Sequence, residues 1–227
     1  YGYNSWQLDL TPYIRYGEDN QLAIRIDNPN YSSRWYPGAG IYRNVWLIKT
    51  HPIHIGQWGT YITTSEVSSA SAMVDLEISV NNDSKSVVEV TIETEIFELD
   101  SLGVKGEKSI NRFSDSVISL NPGERDKTKL TTEINNPKLW GPKPTQTPNL
   151  YQAVTTLKQD NKVVDRYETS FGIRDLQFNP DEGVLVNGEI IELKGVNQHH
   201  DLGALGAAFN RRAAERQLEK VALWMDW

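Results

Sequence analysis

The sequence predicts a mainly β protein that ends in the beginning of a β/α fold. Apolar and polar residues alternate in short segments over most of the chain, as in strands that bury one face. Turn formers such as Asn81-Asn82-Asp83 and Asn187-Gly188 separate these segments. After Asn210 the apolar spacing changes to that of an amphipathic helix. At roughly 100–150 residues per domain, the 227 residues allow two domains, or three if some are incomplete.

The composition excludes several classes of partner and chemistry. The net charge is −7 and no cluster of lysine and arginine occurs, so we expect no nucleic-acid surface. No apolar run approaches the ~20 residues that a membrane-spanning helix needs, so we expect no membrane insertion. The chain has no cysteine, which excludes disulfides and thiol catalysis and leaves the compartment undecided.

Residues 1–52 predict three or four antiparallel strands that form part of a β layer. The residues that alternate toward one face in its first two strands are Trp6, Leu8, Leu10, Leu22, Ile24 and Ile26. A loop rich in turn formers follows at residues 34–40, and a further strand is predicted at residues 41–49. A sandwich needs a second full sheet to cover its core, so we expect additional strands upstream of Tyr1.

Residues 53–171 predict an immunoglobulin-like sandwich, because about seven short alternating strands follow one another between turns. The acidic residues of these strands fall on the outward faces, which indicates solvated strand surfaces rather than a cation site. Residues 135–149 contain four prolines and predict an ordered loop, held in place by Leu139 and Trp140.

The last segment, residues 172–227, predicts a first β/α unit. Asn187-Gly188 is a strong hairpin signal. A strand buried on both faces is predicted next, followed by a glycine-rich loop and by a helix that Asn210 caps; the apolar residues of that strand are Ile190, Ile191, Leu193 and Val196. In β/α barrels the loops after the strands build the active site. The polar residues that follow this strand are therefore candidates for ligand contact: Asn197, His199, His200 and Asp201.

Four stretches of the chain resemble glycoside hydrolase family 2, the group of β-galactosidases, β-glucuronidases and β-mannosidases. They read YIRYGEDNQLAIRIDN (residues 13–28), RWYPGAGIYRNV (34–45), FGIR (171–174) and KGVNQH (194–199). The resemblance implies the C-terminal part of a jelly-roll sugar-binding domain at residues 1–52. It further implies an immunoglobulin-like domain at 53–171 and the start of a (β/α)8 TIM barrel at 172–227.

The resemblance also implies a function, that of a retaining exo-β-glycosidase of the β-galactosidase type. Two glutamates on later barrel strands carry the family's chemistry, so we expect both catalysts outside this chain and no catalysis by the chain itself. The implied partner is a carbohydrate substrate, and the resemblance implies no cofactor. Whether the parent protein is a homo-oligomer stays open. A bacterial protein of the periplasm or the cytoplasm is the expectation for its location.

The resemblance implies substrate-binding residues at individual positions of this sequence that match the family's pattern. His199 matches a histidine that lines the family's sugar subsite, whereas His200 and Asp201 are candidates through proximity and Asn197 through its place in the KGVNQH stretch. Arg34 and Trp35 could bind sugar through a guanidinium fork and an aromatic face. Residues 31–34 lack the acidic residue that some galactosidases place in the site, so a β-glucuronide or a β-mannoside stays open.

Each of these residues also has an interpretation without a substrate. His199, His200 and Asp201 are metal-ligand types, but neighbouring side chains of an extended segment point to opposite sides, so we predict no metal site. The same loop could simply form hydrogen bonds with its surroundings, and Trp35 could pack its loop against the sheet. For the whole chain, a non-catalytic β-sandwich that binds carbohydrate or protein remains the alternative to a piece of an enzyme.

Overall fold

The computed structural model describes residues 4–27, 40–41, 44–193, 195, 197 and 209–224. The chain forms two compact units, one of which is the segment Ile48–Gly195. The other unit combines Tyr1–Leu47 with Val196–Trp227. The strands lie in the first unit and the helix lies in the second.

Two antiparallel sheets make up most of the first unit. Their strands are β1 (Ile53–Ser65), β2 (Ser71–Asn82), β3 (Val88–Glu98), β4 (Asn111–Arg112), β5 (Ser116–Leu120), β6 (Arg125–Asn135), β7 (Tyr151–Gln159) and β8 (Lys162–Phe171). One sheet has the order β1-β2-β6. The other has the order β4-β3-β7-β8, with β5 also paired to β3. These strands confirm the mainly β prediction and the alternating segments on which it was based.

Alternation places every second side chain of the long strands in one shared core. Strand β2 buries Ala72, Val74, Leu76, Ile78 and Val80, and the polar residues between them face outward. The facing sheet contributes aliphatic residues from β3 and β7 to the same cluster. Burying one such side chain contributes about 1.5–3 kcal/mol, so this double layer is the main source of stability in the unit.

Three polar side chains inside the sandwich have hydrogen-bond partners within it: Thr94, Thr155 and Asn82. Thr94 and Thr155 are paired across β3 and β7, and their hydroxyls lie 3.0 Å apart. The carboxamide of Asn82, which is 0% exposed, donates to the carbonyl oxygens of Leu120 at 3.1 Å and Asn121 at 3.0 Å. Since a buried polar group without a partner would cost about 1–3 kcal/mol, these contacts let the core hold polar side chains.

Strand β1 is interrupted by a bulge between Ile55 and Thr60. Gly59 makes this bulge possible, because a Cβ there would lie 2.5 Å from the carbonyl oxygen of Gly56. Trp58 adopts a left-handed backbone with φ of 51°. Its side chain is exposed, so the bulge places a large aromatic residue on the surface of the domain.

A small antiparallel sheet follows the sandwich. It consists of β9 (Leu176–Asn179), β10 (Gly183–Val186) and β11 (Glu189–Ile190), in the order β11-β10-β9. Asn187 and Gly188 connect β10 to β11 with φ values of 56° and 79°. Two successive positive φ values define the type I′ turn, which confirms the hairpin predicted at this dipeptide.

The strand predicted after this hairpin is wrong in its extent and in its burial. Among its described apolar residues, only Ile190 belongs to a strand, and that strand is part of the antiparallel hairpin. Val196 lies outside the described residues. Ile190 is 55% exposed and Leu193 is 76% exposed, whereas the prediction placed both in a buried strand. A strand buried on both faces needs neighbours on both edges and cover on both faces, which β11 lacks among the described residues.

Residues 4–27 and 44–50 form no helix or strand, which differs from the alternating strands predicted there. Trp6 is 67% exposed and most of the other apolar residues of these segments are exposed as well. The side chain of Asn20 closes the turn between the predicted strands by accepting from the backbone N–H of Arg15 at 2.9 Å. Alternation favours a strand only where a neighbouring backbone supplies hydrogen bonds, and none does so here among the described residues.

The helix predicted near Asn210 is confirmed as α1 (Arg211–Trp224). The Asn210 carboxamide oxygen accepts from the backbone N–H of Ala213 at 3.0 Å, which is an N-cap contact. Arg211 pairs with Glu215 at 2.9 Å and Arg212 pairs with Glu219 at 2.8 Å along its exposed face. No helix among the described residues is long and apolar enough to cross a bilayer.

We expect a fragment comprising residues 48–195 to fold without the rest of the chain, because both sheets and the shared core lie within it. It should melt cooperatively, and in the whole chain the amides of β2 and β3 should exchange more slowly than those of residues 4–27. Circular dichroism of the fragment and hydrogen exchange of the whole chain measure this. Uniform protection across both units, or a fragment without a melting transition, would contradict it.

Candidate functional site

The predicted substrate-binding residues fall in the second unit, mostly in segments outside the described residues. Asn197 is described: it is exposed and belongs to no helix or strand. The other five candidates, Arg34, Trp35, His199, His200 and Asp201, lie outside the described residues. Their mutual geometry therefore remains a prediction from the sequence. The structure does describe the support that precedes this segment in the chain: the end of β8, the loop packed on it and the hairpin of β10 and β11.

The proline-rich loop at residues 136–149 forms that support, and Trp140 is its anchor. The backbone N–H of Trp140 donates to the carbonyl oxygen of Ile173 at 2.7 Å, just after β8. Leu139 packs against the core of the sandwich. The prediction that Leu139 and Trp140 hold this loop is thus confirmed. Gly172 lies so close that a Cβ on it would be 2.8 Å from Cβ of Trp140.

Asn187 connects this loop to the hairpin. Its Nδ2 donates to the carbonyl oxygen of Trp140 at 2.9 Å and to Oε1 of Gln146 at 2.8 Å. Its Oδ1 accepts from the backbone N–H of Asp175 at 3.0 Å. The sequence indicated only the turn at Asn187-Gly188 and missed this role, because the partners are up to 47 residues away along the chain.

Gln146 completes the connection from the side of the loop. Its Nε2 donates to the carbonyl oxygen of Val186 at 2.9 Å and to Oε2 of Glu189 at 2.8 Å. The two carboxamides therefore satisfy four other groups: the carbonyl oxygens of Trp140 and Val186, the backbone N–H of Asp175 and the Glu189 carboxylate. Such a network fixes the path of the chain from β8 to β11, which immediately precedes the predicted substrate-binding segment.

Arg174 lies beside this network and stacks on Trp140. Its guanidinium carbon is 4.9 Å from the centre of the Trp140 ring, within the range of a cation–π contact. No carboxylate pairs with Arg174 among the described residues. The FGIR stretch therefore positions its arginine through an aromatic ring.

Tyr151 closes the base of the loop on its inner side. Its hydroxyl accepts from the backbone N–H of Lys138 at 2.7 Å, and its ring lies 5.6 Å from that of Phe171. Burial raises the pKa of the Tyr151 hydroxyl above its usual value, which keeps the phenol neutral. A neutral, buried phenol that bonds the backbone in this way supports the loop.

The two histidines of the sandwich are engaged by the backbone. Nδ1 of His51 accepts from the backbone N–H of Ile53 at 3.1 Å, and Nδ1 of His54 lies 3.0 Å from the carbonyl oxygen of His51. Asp83 is 4.0 Å from His54, on the exposed side. No group of three histidine, aspartate or glutamate residues in the described part of the chain could hold a metal ion.

These features define a class of protein: an antiparallel, immunoglobulin-like sandwich with a short β-sheet segment at its exit. Residues 53–174 match the family model of the glycosyl hydrolases family 2. This match covers more than half of the 227 residues, and it ends at Arg174, on the support described above. The chain belongs to the glycosyl hydrolases family 2.

The relatives that the chain matches include proteins named as β-galactosidases and as β-glucuronidases. The chain is 40% identical to beta-galactosidase BoGH2A of Bacteroides ovatus over 96% of its own length, and 32% identical to a beta-glucuronidase of Formosa agariphila over 91%. A crystal structure of a family 2 member from Bacteroides cellulosilyticus superposes with a TM-score of 0.78 at 33% identity, over 96% of this chain and 29% of that one. The chain spans about a quarter of the length of the curated relatives, 25% of the first and 22% of the second.

Gly172→Ala should destabilise the sandwich unit, because the new methyl group would collide with Trp140. Crowding of a packed site typically costs about 1–3 kcal/mol in the free energy of unfolding. Gly106→Ala is the matched control, since the nearest atom to its Cβ is 3.5 Å away, an ordinary contact. Denaturant unfolding of both variants measures the difference. Equal stability of the two variants would show that the contact with Trp140 relaxes without cost.

Proposed function

We propose that this chain is part of a retaining exo-β-glycosidase that hydrolyses terminal β-linked sugars of oligosaccharides or polysaccharides. The observation that carries the proposal is the match to the glycosyl hydrolases family 2 across the sandwich, residues 53–174. Relatives with two β-glycosidase activities support the same reaction class. Since the chain spans about a quarter of these relatives, the activity is assigned to the longer protein.

A β-galactoside is the substrate that we favour. Identity is 40% to the named β-galactosidase and 32% to the β-glucuronidase of Formosa agariphila, with 28% to a further beta-glucuronidase of Bacteroides fragilis. The QHHDLGALGA wording of residues 198–207 also favours the β-galactosidase type. β-Glucuronides and β-mannosides are the competing substrates.

The chemistry requires two carboxyl groups about 5–5.5 Å apart. One protonates the oxygen of the leaving group while the other attacks the anomeric carbon, and water then hydrolyses the covalent intermediate with the first carboxylate as base. We place both glutamates outside this chain. Its own contribution is to bind the sugar, through His199 first and through Asn197, His200, Asp201, Arg34 and Trp35 around it.

His199 would act as a hydrogen-bond partner of a sugar hydroxyl. A neutral imidazole can donate or accept in such a contact. A contact that strengthens as the ring distorts toward the oxocarbenium ion stabilises the transition state more than the bound substrate. Its effect should therefore be seen in turnover rather than in substrate affinity alone.

The reaction class is tested with the longer protein and with this chain side by side. The longer protein should hydrolyse p-nitrophenyl β-galactoside faster than the corresponding β-glucuronide, and this chain should release no nitrophenol from either. Release by the purified chain would place the catalytic carboxylates within these 227 residues and contradict their assignment elsewhere. If the longer protein hydrolysed only the glucuronide, the proposed β-galactoside substrate would be wrong and the reaction class would stand.

His199→Ala in the longer protein should lower turnover about tenfold to a hundredfold. This is the loss expected when a hydrogen bond of about 1.5–3 kcal/mol is removed. His200→Ala is the matched control and should lower turnover less, because adjacent side chains of an extended segment point to opposite sides. Kinetics and melting temperature are measured for both variants. Wild-type turnover in His199→Ala, or a loss that only follows a fall in melting temperature, would assign His199 a structural role.

A further inference from the structure

The sequence contains one Asn-Gly pair, Asn187-Gly188, and it forms the turn between β10 and β11. Asparagine deamidates most readily when glycine follows, because glycine has no Cβ to hinder attack by its backbone nitrogen. Asn187 is half-buried and Gly188 is exposed, so the water that the reaction consumes is at hand. The rate of deamidation therefore depends on how the Asn187 side chain is held.

Deamidation at this pair proceeds through a five-membered ring. The backbone nitrogen of Gly188 loses its proton and bonds to Cγ of Asn187, the bond between Cγ and Nδ2 breaks, and ammonia leaves. Water then opens the succinimide at one of its two carbonyl groups, which leaves aspartate or isoaspartate at position 187. Water is the only co-reactant. A contact that holds Cγ away from the Gly188 nitrogen slows the first step, because the reacting atoms must meet in an aligned geometry.

Three hydrogen bonds hold the Asn187 carboxamide in place. Its Nδ2 donates to the carbonyl oxygen of Trp140 at 2.9 Å and to Oε1 of Gln146 at 2.8 Å. Its Oδ1 accepts from the backbone N–H of Asp175 at 3.0 Å, and the backbone N–H of Asn187 donates to the carbonyl oxygen of Asp175 at 2.9 Å. The partners come from two segments outside the turn. The carboxamide must therefore lose contacts with both segments before it can rotate toward Gly188.

The backbone of the turn also keeps the attacking nitrogen away. Asn187 and Gly188 have φ values of 56° and 79°, the pattern of a type I′ turn. As the mirror image of a type I turn, such a turn has a ψ of about 30° at its first central residue. At this angle the Gly188 nitrogen nearly eclipses the backbone nitrogen of Asn187, whereas ring closure requires it beside Cβ. Both the turn and the carboxamide contacts must therefore open before the ring forms.

Conversion of the side chain would break the link between the loop and the hairpin. A carboxylate at position 187 has no N–H to donate, so it would face the carbonyl oxygen of Trp140 and Oε1 of Gln146 as a third acceptor. The Glu189 carboxylate, which accepts from Nε2 of Gln146 at 2.8 Å, would add a second negative charge to the same network. Isoaspartate also adds a methylene group to the main chain, which disrupts a two-residue turn that sets the register of Val186 and Glu189.

We propose that Asn187 is a site of spontaneous deamidation that its contacts with the loop hold in check, and that its conversion disconnects the hairpin from the loop. The reaction is irreversible because ammonia is lost. Product therefore accumulates with each local opening of the turn, and its rate reports how often the turn opens. All of the residues involved lie in the unit Ile48–Gly195, and the proposal does not depend on the glycosidase assignment.

The test incubates the full 227-residue chain in mildly alkaline buffer, with and without urea, and follows deamidation by peptide mapping and mass spectrometry. Asn187 should react at least about tenfold more slowly in the folded chain than in urea, since only the open fraction reacts. Asn161 is an internal reference, because it also has a positive φ, of 60°, but Lys162 follows it. In urea it should react more slowly than Asn187. Equal rates at Asn187 in the folded and the unfolded chain would overturn the proposal.

Gln146→Ala removes one acceptor of the Asn187 carboxamide and should raise the rate at Asn187 in the folded chain about fivefold, the factor that corresponds to one ordinary hydrogen bond. Gln152→Ala is the matched control, because it removes a carboxamide that donates to Glu168 at 2.8 Å, on the sandwich. Its rate at Asn187 should equal that of the unchanged chain. Both variants are incubated below their melting temperatures, and equal rates in the two would contradict a protective role of the loop.

Asn187→Asp tests the consequence of the reaction. This variant should melt at a lower temperature than the unchanged chain. The amide of Ile191, which donates to the carbonyl oxygen of Val184 at 2.8 Å, should also exchange its hydrogen faster. Unchanged melting and unchanged exchange at Ile191 would show that the hairpin stays attached, and the second half of the proposal would be wrong. Because no turnover is measured, neither result bears on the glycosidase proposal.

Discussion

The burial of two facing layers of aliphatic side chains is the interaction on which the described structure depends. Every second residue of β2 enters the core, and the opposite layer comes from β3 and β7. Backbone hydrogen bonds between antiparallel neighbours hold the register that keeps these residues on one face. The buried pair Thr94–Thr155 and the Asn82 carboxamide are tolerated because each has its partners inside the same layer.

The packed sandwich also determines where the chain leaves it. β8 ends at Phe171, and the next residues are fixed by Trp140 from the proline-rich loop. Asn187 and Gln146 then join this loop to the small sheet through side-chain hydrogen bonds to the backbone. A loop with four prolines has few backbone donors to satisfy, and Asn187 donates to one of its carbonyl oxygens, that of Trp140.

The family match has a consequence for substrate choice. Relatives that are named as β-galactosidases and as β-glucuronidases share similarity with more than nine-tenths of this chain. Similarity over the sandwich and its exit is therefore shared by relatives of both names and does not by itself distinguish the two sugars. Differences in the sugar that is accepted are expected in the loops that face the substrate, where single polar groups decide between similar ligands.

Local pattern determined much of the fold. The alternation in β2 and β3, the Asn187-Gly188 turn and the helix capped by Asn210 follow from side-chain periodicity and backbone preference within a few residues. The four quoted stretches also indicated the family, although the candidate residues at 199–201 lie outside the described part of the chain. Those features needed no knowledge of distant contacts.

Only the tertiary structure decided the rest, since it depends on which distant segments meet. It left Ile190 and Leu193 exposed where their apolar character predicted a buried strand, because burial requires neighbours that a sequence pattern cannot supply. It placed the Arg174 guanidinium over the Trp140 ring, and it made Asn187 the link between a loop and a hairpin. Likewise, β1 and the chain after β8, more than 100 residues apart in sequence, are brought together at Thr64 and Arg174.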